Sequence, residues 1–266
     1  MNRYKKYTGL MRMTFLEKLA YAKAAWFDIA GTMVSILIYY FLWKYVFMER
    51  NELNGYTMTQ ITTYVILSRM LSSQFMGGIN RTFAEWIYDG GIGVELLRPV
   101  TLFFTLSAKR LGEFLFFVLF KGFPVLVVST LVLKGQGPAG GTEVLLFCVS
   151  VVLSLIIMFY IEFMVGIASF YTLNSYGLMF TKSAVLSILS GGIVPLFLFP
   201  EMLAKVLEFL PFAGMVSVPV QIFLGKYTLG EMQFYLLLQC VWAAAMAGLA
   251  HLLYRAAIRK VIVQGG

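Results

Sequence analysis

Residues 144–161 read VLLFCVSVVLSLIIMFYI, a run without a single charge. Runs of this kind recur along the chain, and about 20 apolar residues suffice to cross a bilayer as a helix. Crossings are read at about residues 29–47, 58–76, 114–133, 144–163, 183–199 and 234–254. Sixty per cent of the residues are hydrophobic and only 13% are charged, about half the charged share of an average soluble domain. The mean hydropathy is +0.82. The expected fold class is therefore an all-α integral membrane protein with six transmembrane helices, built as a single domain over residues 1–266. No internal repeat or low-complexity linker divides it.

The formal charge of +8 would suit nucleic acid in a soluble protein, but these charges lie in the flanks of the apolar runs. Six crossings place both termini on one side. That side then carries fourteen Lys and Arg, against four on the other: Arg50, Lys134, Lys205 and Lys226. The positive-inside rule assigns the richer side to the cytoplasm. The reading is a multi-pass protein of the bacterial cytoplasmic membrane with both termini inside and no nucleic-acid partner. The basic N-terminus lacks an apolar core and small-residue cleavage site, so no removable signal peptide is expected.

Three stretches are not simple crossings. Residues 1–26 interleave basic and apolar side chains at helical spacing and suit a helix on an anionic lipid surface. Residues 80–100, NRTFAEWIYDGGIGVELLRPV, mix bulky apolar residues with charges and are broken by Gly90, Gly91 and Gly93. Glycine inside a helix costs about 1 kcal/mol against alanine, so two short amphipathic helices joined at Gly90-Gly91 are expected, ended by Pro99. Residues 201–227 are apolar but interrupted by Pro211, Gly214, Pro219 and Gly225. They are read as two short helices, 202–210 and 216–224, re-entering the outer leaflet; the alternative is a seventh crossing.

Intramembrane catalysis would leave residues that are missing here. His251 is the sole histidine, which excludes paired-histidine zinc motifs. No G-x-S-x-G elbow occurs, and Asp28 and Asp89 are the only aspartates. Cys148 and Cys240 fall in apolar runs and suggest neither disulfide nor metal site. Residues 177–183 lack the glycine that a phosphate loop needs before its lysine. The chain is expected to bind no cofactor and to be no enzyme. Arg69, Lys121 and Glu162 lie inside the expected crossings, where a charge costs about 2.5–3.5 kcal/mol on insertion scales. Each is a candidate for a substrate path; the alternative is a structural ion pair, such as Glu162 with Lys121 or Arg69.

The whole layout, with the Leu96-Leu97-Arg98-Pro99 run after its glycines and the Leu210-Pro211-Phe212-Ala213 break before the last crossing, resembles the permease subunit of a type-2 ABC exporter. Within that group it is most similar to a compact bacterial six-span branch with a Leu-Leu-Arg-Pro signature. The resemblance implies that residues 80–100 are a coupling helix region docking on a separate ATPase, with Phe83, Trp86, Ile87, Gly90, Gly93, Glu95, Leu96, Leu97, Arg98 and Pro99 in the contact. ATP and magnesium would be bound by that partner. It also implies a dimer with a second permease copy or a different permease, and a path beside crossings 1, 2 and 5 that favours Arg69. The apolar lining suits an amphipathic or hydrophobic cargo. The alternative functional reading is an ion-coupled secondary transporter or channel subunit, which would need polar midplane residues in matching halves of a repeat.

Overall fold

A computed structural model describes residues 3–76, 78–97, 102–169, 171–172 and 175–258. Helix α1 (Arg3–Ala20) breaks at Tyr21 and α2 (Ala22–Val46) follows. A two-stranded hairpin, β1 (Glu52–Leu53) and β2 (Tyr56–Thr57), turns on Asn54 and Gly55, both at positive φ (49° and 75°). Asn-Gly is the pair this tight turn favours, because both central residues must be left-handed. Helix α3 (Met58–Ser72) starts with a capping box, in which Thr57 and Gln60 satisfy each other's backbone N–H groups.

Helix α4 (Ile79–Tyr88) and α5 (Ile92–Leu97) are separated at Gly90, whose φ is 71°. Then α6 (Leu102–Phe116), a π-helical turn (Phe117–Gly122) and α7 (Phe123–Leu133) form one continuous rod. Pro124 cannot donate to the ladder, and the turn before it takes up the mismatch: the Phe123 N–H reaches the Val118 carbonyl, five residues back. Helix α8 (Gly141–Ala168) and α9 (Ser175–Leu189) follow. A 3-10 turn (Leu196–Leu198), α10 (Glu201–Phe209), a second such turn (Ala213–Met215) and α11 (Ser217–Phe223) then lead into α12 (Leu229–Ile258).

Among the described residues four helices are long and apolar enough to cross a membrane: Lys23–Val46, Leu102–Leu133, Gly141–Ala168 and Leu229–Ala257. The other two expected crossings map to α3 and α9, and each is shorter than the reading required. Their 15 residues rise about 22 Å, against a hydrocarbon core of about 30 Å. Helix α9 also begins before Lys182 and ends at Ser190–Gly192, where Gly191 is left-handed at 79°. The expected crossing at 183–199 is therefore shifted by about two turns, and more than half of it, residues 190–199, lies beyond the α-helix.

The bundle has two distinct ends. The hairpin end gathers β1–β2, the loop after α7, the turn at 196–198 and the α11–α12 corner. Tyr56 stacks on Phe197 with ring centroids 3.7 Å apart, and Asn54 Nδ2 donates to the Phe197 carbonyl at 2.9 Å. Both expected short helices of 201–227 are present. Helix α11 is buried along its whole length against α3 and α8, whereas α10 exposes Met202, Val206 and Phe209. At the other end α4 and α5 fold back under α6, α8 and α12. Helix α1 runs beside α6 in the same direction, so closely that a side chain on Gly112 would strike the Met11 carbonyl.

Candidate functional site

Helix α4 is amphipathic, with one polar residue, Asn80, among its buried positions. Ile79, Phe83 and Ala84 are buried, whereas Arg81, Glu85 and, just past the helix, Asp89 are exposed. Phe83 stacks on Phe163 of α8 at 5.7 Å. Gly166 of α8 makes this possible, since a methyl group there would lie 2.2 Å from the Phe83 ring. Around this contact Ile92 of α5 joins Leu102, Leu106, Phe159, Ile167 and Ala257 in one buried apolar cluster. Trp86 is half-buried, with the Lys109 ammonium 4.7 Å from its ring centroid. On the exposed face Arg81 Nε donates to Glu85 at 2.9 Å, and that hydrogen bond pushes the Arg81 guanidinium up.

The N-terminus of α4 is fixed by a charge. The backbone N–H of Ile79 donates to Glu162 Oε2 at 3.4 Å, a carboxylate at a helix N-terminus being favoured by the helix dipole. Glu162 is fully buried and faces Arg110 Nε at 3.4 Å. Arg110 continues to Gln74 (3.4 Å) and Glu113 (3.6 Å), and Glu113 to Lys18 of α1 at 3.0 Å. Lys182 of α9 is buried and feels the Glu162 charge. One carboxylate thus ties together α4, α6 and α8, while Lys182 Nζ of α9 is buried without a hydrogen-bond partner. Gly78, at a φ of 84°, leaves the room, because a methyl group there would fall within 2.5 Å of all three carboxyl atoms.

The other residues of the expected contact lie as follows. Gly90 is exposed, Gly93 is half-buried, and Glu95 is buried with its N–H bonded to the Gly91 carbonyl at 3.1 Å. Ile87, Leu96 and Leu97 are described by backbone only. Arg98 and Pro99 lie outside the described residues. Phe83, expected in the ATPase contact, turns instead toward α8 and seats the element.

A family model for "ABC-2 family transporter protein" matches residues 33–265, most of the chain. The chain belongs to the ABC-2 transporter family. No curated relative matches it. As an ABC-2 permease it is a multi-pass membrane component whose task is transport rather than catalysis, and membership implies an ATPase partner. Among the described residues no group of three or more His, Cys, Asp or Glu is placed to hold a metal ion.

The three charges read as a substrate path in this permease part company. Glu162 meets neither Lys121 nor Arg69, because the depths differ. It lies about 32 Å along α8 from the hairpin end, whereas Lys121 lies about 18 Å from that end of its rod. Lys121 Nζ instead donates to Asp28 of α2 at 2.6 Å. Arg110, about 35 Å along its rod, is the cation at the right depth. Arg69 has no carboxylate within ion-pairing distance among the described residues. Its guanidinium carbon stands 4.4 Å from the Tyr39 ring centroid, a cation–π contact. At the hairpin end Gln239 of α12 accepts from Ser150 Oγ at 3.0 Å and donates to the Gly214 carbonyl at 2.6 Å. Ser154 Oγ donates to the same carbonyl at 2.6 Å, so the α10–α11 segment is bolted to α8 and α12.

Proposed function

We propose that the chain is the permease subunit of an ATP-driven exporter in the bacterial cytoplasmic membrane. In this reading six crossings include the short α3 and α9, and both termini and the α4 end face the cytoplasm. The α10–α11 segment faces outside. The α4–α5 element docks on a separate ATPase subunit, which binds ATP and magnesium, and two permeases, identical or different, assemble around the path. The cargo is amphipathic or hydrophobic.

The observation that carries this reading is the seating of α4. Its inner face is locked to α8 through Phe83 and Gly166, and its N-terminus is held by Glu162. Its outer face, with Arg81, Glu85 and Asp89, is left to solvent. A helix held this firmly at the end of a bundle transmits a push on its outer face to α6, α8 and α9 instead of absorbing it. Closure of paired ATPases on ATP would press on that face and move the crossings from inward-facing to outward-facing. A secondary transporter would have no use for the element.

Affinity purification of the chain in mild detergent from its native host tests the proposal. The expected result is an ATP-binding-cassette subunit in the same complex, and its loss when Arg81→Glu and Glu85→Arg are combined. The chain purifying alone from a stable preparation, with transport indifferent to the charge exchange, would return the reading to a self-sufficient transporter.

A further inference from the structure

Arg69 itself carries buried donors without partners. A cation inside a crossing is normally paired, as Lys121 is with Asp28 and Arg110 with Glu162. Arg69 Nε and Nη2 are buried and accept no such arrangement: neither has a hydrogen-bond partner. One turn along α3, Ser72 Oγ is likewise buried without a partner, and so is Ser190 Oγ just after α9. The two hydroxyls converge. A methyl group on Gly192 would stand 2.4 Å from Ser72 Oγ and 3.2 Å from Ser190 Oγ, so glycine is what lets them share one small volume.

Three further facts define the chemistry. Non-helical backbone at membrane depth is tolerated where it is buried or lines a cavity, and the break after α9 satisfies several of its own polar groups. The Ser190 carbonyl accepts from the Ser217 N–H at 3.1 Å, the Gly191 carbonyl from the Tyr64 hydroxyl at 2.9 Å, and the Ile193 N–H reaches the Ser187 carbonyl at 2.9 Å. What remains is the side-chain set: a guanidinium, which can only donate, and two hydroxyls, each with a proton to donate, beside a Ser187 carbonyl that already accepts from Ile193. Arg69 lies about 17 Å from the start of α3, well below the hairpin end. An unsatisfied guanidinium fork, with one hydroxyl three residues along the same helix and a second meeting it at Gly192, suits a tetrahedral oxyanion, since arginine matches phosphate oxygens two at a time.

We propose that Arg69, Ser72 and Ser190 form a subsite for a phosphate-like or sulfate-like group of the transported molecule. The inference rests on the permease reading and adds the chemical class of the cargo's polar end. With the apolar surroundings of α2 and α3, the fitting cargo is an amphiphile with an anionic head; a small free anion shares the same chemistry.

The test is thermal unfolding of the purified permease in neutral-lipid nanodiscs, titrated with dodecyl phosphate, dodecyl trimethylammonium or methyl phosphate. Dodecyl phosphate should raise the melting temperature saturably, and the trimethylammonium amphiphile should not. Arg69→Gln should weaken the apparent affinity roughly ten- to a hundredfold, and Ser72→Ala roughly three- to tenfold, as loss of a charged or a neutral hydrogen bond implies. Arg69→Lys should restore part of it. A response to methyl phosphate that also needs Arg69 supports the subsite and identifies a small anion as its ligand; a response to dodecyl phosphate alone identifies a tailed one. Equal shifts from the cationic amphiphile, or undiminished dodecyl phosphate binding in Arg69→Gln, would overturn the proposal. Because the permease is measured by itself, this result stands apart from whether an ATPase co-purifies.

Discussion

At the α4 end Arg110 faces the buried Glu162 carboxylate, with Lys182 close by, Glu113 and Lys18 continue the chain, and the Ile79 N–H closes the set. Nearer the hairpin end, Arg69 lies against the Tyr39 ring with buried N–H groups that nothing accepts. Both regions bury positive charge, yet only one supplies the opposite charge from its own chain. The difference separates two uses of charge in a membrane. A paired cluster holds elements in register and is costly to break, whereas an unpaired cation keeps its capacity for something that comes and goes.

Glu162→Leu should break this comparison hardest. It takes the buried carboxylate away from Arg110, leaving it Glu113 and Gln74, and removing one partner of a buried ion pair costs about 3–5 kcal/mol. Thermal unfolding of the purified protein should show a large drop in melting temperature and yield; an unchanged melting temperature would mean that the cluster holds nothing. Gly166→Ala comes next. Its methyl group must displace Phe83, and overpacking of this kind costs about 1–3 kcal/mol. The expected signature is a moderate loss of stability together with loss of bound ATPase, because α4 is lifted from its seat. Gly93→Trp provides the contrast, since nothing stands within 4 Å of a side chain there: co-purification should fall while the melting temperature holds.

Gln239→Leu probes the opposite end. It leaves Ser150 Oγ and part of the Gly214 carbonyl's bonding unsatisfied, at about 1–3 kcal/mol, and should lower the melting temperature without touching ATPase binding. Arg69→Gln should be smallest of all in stability. A melting temperature equal to wild type, or higher, is expected in the absence of ligand, because the cation it removes has no carboxylate partner. A loss as large as that of Glu162→Leu would make Arg69 a structural residue and erase the distinction.

Much of this layout was legible in the sequence, and the places where it was not share a cause. The break at Gly90, the two short helices within 201–227 and the Asn54-Gly55 turn follow from local rules of glycine, proline and apolar length. The ends of α3 and α9 did not, because hydropathy continues through Phe199 after the helix has stopped; the left-handed Gly191 and its tertiary partners Tyr64 and Ser217 decide that. Glu162 was mispaired for a similar reason. A charge read along an apolar run shows its cost but not its depth. Counting the helical rise from the outer loops would have set Glu162 and Arg110 at one level and Lys121 at another. Ser72 and Ser190 carried no signal at all, since only the fold brings them to Gly192. Phe83 looked like surface because its neighbours are charged, and helical spacing from Ile79 is the clue that it faces inward.

The most direct test of this division sets Glu162→Gln beside Arg69→Gln in one measurement: the amount of ATPase retained per folded permease after affinity purification. Glu162→Gln should lose several-fold of the bound ATPase, because the amide has no charge to hold Arg110 and to meet the positive end of α4, and Arg69→Gln should retain it in full. Equal retention, or equal loss, in the two variants would contradict the account.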